Sequence, residues 1–194
     1  MDPFNVKRSL ESMRICVDTR EQDTDKAQRR YADFSCQYDR GKLEYGDYCF
    51  NFQYPNETWL YNQTCEDEKV FPLIFIERKM NLDELCLCFG KERKRFQAEM
   101  ERAKKHNAKG YLLVENATWE NAFNGKYRSK LNPQALISSM LAWSIRYNLQ
   151  IIFCKSETSG RLIYEILHRE LKHYLEHLEE GGETERNNSI SSSG

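Results

Sequence analysis

Apolar residues in this chain come in short runs that a strand can bury, separated by segments where they recur every three or four positions. Arg14-Ile15-Cys16-Val17-Asp18 is a short apolar run ending on a carboxylate and reads as a buried strand. The charged stretch 23–32 predicts a short helix. Residues 34–40 and 48–54 read as strands, joined by a turn through Gly41 and Gly46. Residues 55–69, carrying Asn, Thr and the acids Glu66, Asp67 and Glu68, predict an exposed loop. The strongest strand signal is 70–79 (VFPLIFIERK), with Pro72 near its start.

Beyond that strand the period lengthens. Residues 81–107 predict a helix broken at Gly90, with a stripe of Phe96, Met100, Ala103 and the polar Asn107. GYLLVE (110–115) is another buried strand. Asn132-Pro133 caps and starts a helix whose face is Leu136, Met140, Trp143 and Tyr147. LQIIFC (149–154) is a further strand. Residues 157–178 close with a long helix whose stripe is Ile163, Leu167, Leu171, Tyr174 and Leu178. A strand-rich first half and alternating strands and helices in the second predict an α/β fold: a central mixed β-sheet flanked by helices. The expected organisation is a disordered N-terminal extension over 1–12, one domain over 13–180, and a disordered tail over 181–194 with linker-like composition.

Composition changes this picture little. The 194 residues carry 29 Lys+Arg and 30 Asp+Glu, a formal net charge of -1. That excludes binding of nucleic acid by bulk positive charge, but not a local basic surface. No apolar stretch is long enough to span a bilayer, and the N-terminus has no secretory hydrophobic run. The seven scattered Cys read as reduced thiols of an intracellular protein, in cytoplasm or nucleus. The sequons at Asn56, Asn62, Asn116 and Asn187 are then chance.

The chemistry gathers at strand ends. In Ile76-Glu77-Arg78-Lys79, the strand period of two puts Glu77 and Lys79 on one face and Arg78 on the other. Asp83 follows four residues after Lys79. Asp18 ends the first strand and leads into Thr19-Arg20-Glu21, and Asp47 sits in Gly46-Asp47-Tyr48, where glycine permits a tight approach. Carboxylates converging from separate strands, without histidine or thiolate, form a hard oxygen site suited to Mg²⁺ or Mn²⁺. A lysine beside it can orient or deprotonate water and offset phosphate charge, the chemistry of metal-assisted phosphodiester hydrolysis.

The order VDTRE, GDY, IERK, Asp83, then Arg95-Phe96 resembles the nuclease domain of XPF-type structure-specific endonucleases, a branch of the PD-(D/E)xK superfamily. The resemblance spans about 13–155 and implies a restriction-endonuclease-like core. It implies Asp47 and Glu77 as metal ligands, with Asp18 beside them, and Lys79 at the water and scissile phosphate. Asp18 and Glu21 become supporting acids, Asp83 an auxiliary acid, and Arg78 a residue of the local network or the DNA contact. The expected activity is Mg²⁺-dependent cleavage of one DNA strand, Mn²⁺ substituting, near a duplex–single-strand junction such as a flap or fork. The tandem helix-hairpin-helix module of many relatives does not follow residue 155 here, so substrate placement is expected to differ. The rival expectation is a nuclease-like DNA-binding subunit that is inactive or needs a partner.

Residues 91–109 hold eight Lys/Arg against three Glu, and Arg93, Lys94, Arg95 and Arg102 are candidate phosphate contacts. Lys126, Arg128 and Lys130 form a second basic cluster in an expected loop. His173 and His177, four apart on the last helix, lack a third zinc ligand, and Cys86 and Cys88 read as packing residues. The last two helices could also present a face for a homodimer or a paired subunit. No membrane association is expected.

Overall fold

The computed structural model describes residues 1–61 and 69–178. The acidic cluster 66–68, Asn62, Cys65 and the expected tail over 181–194 lie outside the described residues. Six strands form one sheet: β1 (Arg14–Asp18), β2 (Gln37–Gly41), β3 (Tyr48–Asn51), β4 (Ile74–Lys79), β5 (Lys109–Glu115) and β6 (Leu149–Cys154). Their spatial order is β2-β1-β3-β4-β5-β6. β3 runs antiparallel to β1 and β4, while β1–β2, β4–β5 and β5–β6 are parallel. The sheet is therefore mixed, as the alternation predicted.

The strand period decides what each face buries. Ile15, Val17, Ile76, Tyr111 and Leu113 point into one core, covered by α1 (Pro3–Glu11), α2 (Asp25–Ala32) and α7 (Ser159–Glu176). Phe75, Leu112 and Val114 point into the other, covered by α3 (Leu82–Phe89), α4 (Arg93–Lys105), α5 (Trp119–Phe123) and α6 (Pro133–Tyr147). Ile163, Leu167, Leu171 and Leu175 of α7 are fully buried. At ~1.5–3 kcal/mol for each buried aliphatic side chain, this stripe is one of the main attachments of the helix layer. Leu175, not Tyr174, completes it.

Residues 1–12 are not the expected disordered extension. Asp2 caps α1 by accepting N–H bonds from Phe4 and Asn5, Pro3 opens the first turn, and Val6 and Ser9 are buried where the helix packs on α7. The segment has too few apolar residues to signal itself, and the tertiary surface supplies its partner. The break at Gly90 stands where expected, separating α3 from α4. Helix α5 is an addition, started by Thr118, whose hydroxyl accepts from the Asn121 N–H. The apolar stripe of α6 is core: Leu136, Met140, Trp143 and Tyr147 are all buried. What α6 leaves exposed is Leu141 and Ile145. No helix among the described residues is long and apolar enough to cross a membrane.

Candidate active site

The candidate chemistry collects where β1 and β4 end and β3 begins. Gly46 turns the chain into β3 with φ +77°, a left-handed conformation that suits glycine. The Asp47 N–H donates to the Ile76 carbonyl (2.8 Å), and the Asp47 carbonyl accepts from the Asp18 N–H (2.9 Å). The ladder then continues through a side chain: Asp47 Oδ2 accepts the Arg78 N–H at 2.7 Å. Backbone pairing on two sides and one carboxylate bond thus fix Asp47 against β4.

The faces of β4 separate as the period of two requires. Glu77 and Lys79 point toward α4. Lys79 Nζ lies 2.5 Å from Glu77 Oε1 and over the ring of Phe96, 5.3 Å from its centroid. Both residues are buried. Desolvation and the neighbouring Glu77 charge push the Asp47 carboxyl well above its usual range. Desolvation also raises Glu77, against the opposing pull of Lys79. Burial alone would lower the Lys79 ammonium, but the charges of Glu77 and Asp47 outweigh it and the net shift is upward. Lys79 is thus ion-paired with Glu77 within the site.

A further acid joins them. Glu99 of α4 accepts the Gly46 N–H at 3.2 Å, and burial followed by the Asp47 charge raises its carboxyl. Its signal in the sequence is indirect: it stands three residues after Phe96 and four before Ala103, an acid inside an apolar stripe. The pocket is thus Asp47, Glu77 and Glu99 around Lys79. Among the described residues no group of three or more acidic, His or Cys side chains is placed to hold a metal ion. Mg²⁺ is commonly held by one or two carboxylates and keeps several waters, and the pair Asp47 and Glu77 fits that donor set.

Other predicted residues are placed differently. Asp18 is buried, and its carboxylate accepts from the Arg20 N–H, Nε and Nη2 and from the Leu43 N–H, at 2.6 to 3.1 Å. Arg78 points through the other face of the sheet, with Nε 3.2 Å from Glu21 Oε1 and Nη1 3.4 Å from Glu115 Oε2. Tyr48 donates its hydroxyl to Glu21 (3.1 Å), and Arg30 of α2 donates to that hydroxyl (3.1 Å) and pairs with Glu115. So Glu21 and Arg78 belong to a network of charges on the face opposite Glu77. Glu115 and Arg30, its buried members, carried no motif.

Asp83 is not in the pocket. Its Oδ1 accepts the N–H groups of Arg128 (2.7 Å) and Ser129 (2.9 Å), and its Oδ2 accepts Arg128 Nε (3.2 Å). Burial opposes ionisation, but these bonds prevail and hold its carboxyl below the ordinary value. Asp83 thereby docks the basic loop beside α3, with Lys126, Arg128 and Lys130 exposed. On α4, Arg93, Lys94 and Arg95 are exposed, but Arg102 is drawn to Glu44, its Nε 2.8 Å from Glu44 Oε1. A groove of about 860 Å³ lined by Arg14, Trp59 and Tyr164 lies at the start of β1, away from these residues.

The site thus sits at adjoining strand ends of a mixed sheet with helices on both faces. Residues 17–166 match the ERCC4 domain family model, and the chain belongs to that family. Its fold matches XPF from Aeropyrum pernix with a TM-score of 0.53 at 18% identity, over 81% of this chain and 61% of that one. A second structure, XPF from Aeropyrum pernix in complex with DNA, matches with a TM-score of 0.53 at 18% identity, over 80% and 63%. The chain thus spans about three fifths of the length of these structures. No curated protein matches by sequence.

Proposed function

We propose that this protein is a divalent-metal-dependent DNA endonuclease, taking Mg²⁺ or Mn²⁺ and cutting one strand near a duplex–single-strand junction. The observation that carries it is the placement of Asp47, Glu77 and Glu99 together at the strand ends, with Lys79 paired to Glu77 and Arg20 at the rim beside Glu99. Burial, and beyond it the charge of the neighbouring acids, raises these carboxyls, and a bound cation would offset both. Asp47 and Glu77 would hold the ion, Glu99 standing next to them. When bound, the metal supplies Lewis-acid polarisation of the phosphate and a more acidic water.

The chain's own residues do the rest. Lys79, kept as an ammonium by Glu77, places positive charge where a scissile phosphate gains negative charge. Arg78 N–H holds Asp47 in orientation, and the Gly46 N–H holds Glu99. The exposed cations of α4 (Arg93, Lys94, Arg95) and of the docked loop (Lys126, Arg128, Lys130) flank the site as backbone contacts. XPF from Aeropyrum pernix, whose fold this chain shares, forms a complex with DNA, and that supports DNA as the substrate here.

The test is Mg²⁺-dependent cleavage of flap, fork, four-way junction and linear duplex DNA by wild type, Asp47→Ala and Glu77→Ala. The reading predicts loss of cleavage in both variants and preference for branched substrates. Equal cleavage by all three proteins refutes the assigned site. Tight branched-DNA binding without metal-dependent turnover would instead mark a binding subunit.

A further inference from the structure

We propose that Arg20 is a phosphate-binding residue of this site, and that Asp18 positions it rather than holding metal. The inference rests on the endonuclease reading above, since the ligand it assigns is a phosphodiester of the DNA being cut.

The argument begins with how completely one edge of the guanidinium is used. Asp18 Oδ1 accepts Arg20 Nε at 2.7 Å and Oδ2 accepts Nη2 at 3.1 Å, a fork-on-fork pairing with a buried carboxylate. The Leu43 carbonyl accepts from Nη2 as well (3.1 Å), and the Arg20 N–H bonds the same Asp18 (2.6 Å). Nε and Nη2 are thereby spent. Nη1 has no partner among the described residues, and the side chain is 58% exposed. The planar group is locked on its inner edge and free on its outer one.

The pairing satisfies the buried Asp18 carboxylate and, as a consequence, fixes the guanidinium. A side chain this long ordinarily retains large rotamer freedom at a surface. Here that freedom is already surrendered, so an anion reaching Nη1 loses little further entropy. The location gives the anion its identity. Nη2 lies 3.9 Å from Glu99 Oε1, and Asp47 is close enough to bias the guanidinium electrostatically. The carboxylates within reach, Asp18 and Glu99, meet Nε and Nη2, which leaves Nη1 for an anion that the substrate brings. The guanidinium fits the phosphate next to the one being hydrolysed, with Glu99 as its weak partner while DNA is absent. The saturation of Asp18 fits the same division: its oxygens accept four N–H bonds, the geometry of an anchor and not of an open ligand.

The experiment uses the full chain carrying Glu77→Gln, so that DNA is bound without being cut. Affinity for a fluorescein-labelled fork is measured across a KCl series, with and without Arg20→Ala. Loss of one duplex phosphate contact should lower the slope of log K against log[salt] by about 0.9, or about 0.7 for a single-stranded one. In the cleaving background, kcat/KM should fall by at least about tenfold, the size of a lost hydrogen bond to a charged group. Arg20→Gln can still donate to Asp18 and guards against misfolding of the Ala variant; it should show the same reduced slope with a wild-type melting temperature. Asp18→Asn should weaken binding through loss of the lock while Mn²⁺ affinity stays unchanged. An unchanged slope in folded Arg20→Gln overturns the proposal. So does loss of Mn²⁺ binding in Asp18→Asn. Asp47→Ala cleaving like wild type overturns the site reading itself, which the salt slopes do not address.

Discussion

The most exacting test of how the fold builds the pocket is a single methyl group at Gly46. A Cβ placed there would lie 2.7 Å from Phe75 Cδ2, 2.8 Å from its Cβ and 3.1 Å from its Cγ. Carbon atoms in contact prefer about 3.5–4.0 Å, so all three are overlaps. Phe75 is fully buried and meets Tyr45 edge-on at 5.2 Å, which leaves it nowhere to retreat. Overpacking of this kind costs about 1–3 kcal/mol. The left-handed φ of +77° adds about 1–2 kcal/mol for any residue with a Cβ. Gly46→Ala should therefore lose about 2–5 kcal/mol, which for a chain of this length is a fall in melting temperature of roughly 4–20 °C. The strain falls on the peptide before Asp47 and on the N–H that holds Glu99, so cleavage by the folded fraction should drop as well; a 1 Å misplacement can cost about a hundredfold. Gly125→Ala is the control. It shares a positive φ of 63° but meets only the Pro133 ring, at 3.1 Å, so it should cost mainly the conformational part. Melting followed by circular dichroism reads both variants. A Gly46→Ala protein that melts within about 2 °C of wild type refutes the packing argument.

Three further outcomes are expected. Because burial and neighbouring charge raise the Asp47 carboxyl, the native state binds that proton more tightly than the unfolded chain does. Stability is therefore lost as pH rises from the ordinary carboxylate range through the raised value, so in chelator Asp47→Asn should be more stable than wild type at pH 8, with the gap closing near pH 4, and inactive throughout. Equal stability at both pH values would contradict the crowding of the pocket. Removing Asp83 frees the N–H groups of Arg128 and Ser129, so Asp83→Ala should cost about 1 kcal/mol and speed tryptic cleavage within 126–130; an unaltered digestion rate would mean the loop is held otherwise. Lys94→Ala should reduce the salt slope of DNA binding by about 0.9, whereas Arg102→Ala, whose cation is engaged by Glu44, should leave the slope unchanged and lower the melting temperature; the reverse order would place DNA on the other side of α4.

Much of the molecule was legible before any coordinates. Period-two alternation in 74–79 already assigned Glu77 and Lys79 to one face and Arg78 to the other, because the pleat leaves no alternative. Apolar runs marked β1, β4, β5 and β6, but not the polar edge strand β2 (QYDRG), and the stripes of α4, α6 and α7 named most of their buried positions. The glycine before Asp47 announced a tight approach, which the contact with Phe75 explains.

Proximity across the fold was not legible. Asp18 and Glu21 are neighbours in sequence, and the family resemblance made them partners in one role. The sheet separates them: Asp18 is saturated by Arg20 and Leu43 on the Glu77 side, while Glu21 joins Arg78 and Tyr48 on the other. Asp83, four residues from Lys79, turned away with the first turn of α3 to dock the 126–130 loop. Glu99 entered the pocket because α4 packs Phe96 against Lys79, a contact fixed by the layering and not by any motif. Local physics, meaning strand pleat, helix period and glycine geometry, acts between residues a few positions apart, and the sequence alone determined those features. Which carboxylate meets which cation depends on hydrogen bonds and burial between segments far apart in the chain, and only the tertiary structure decided that.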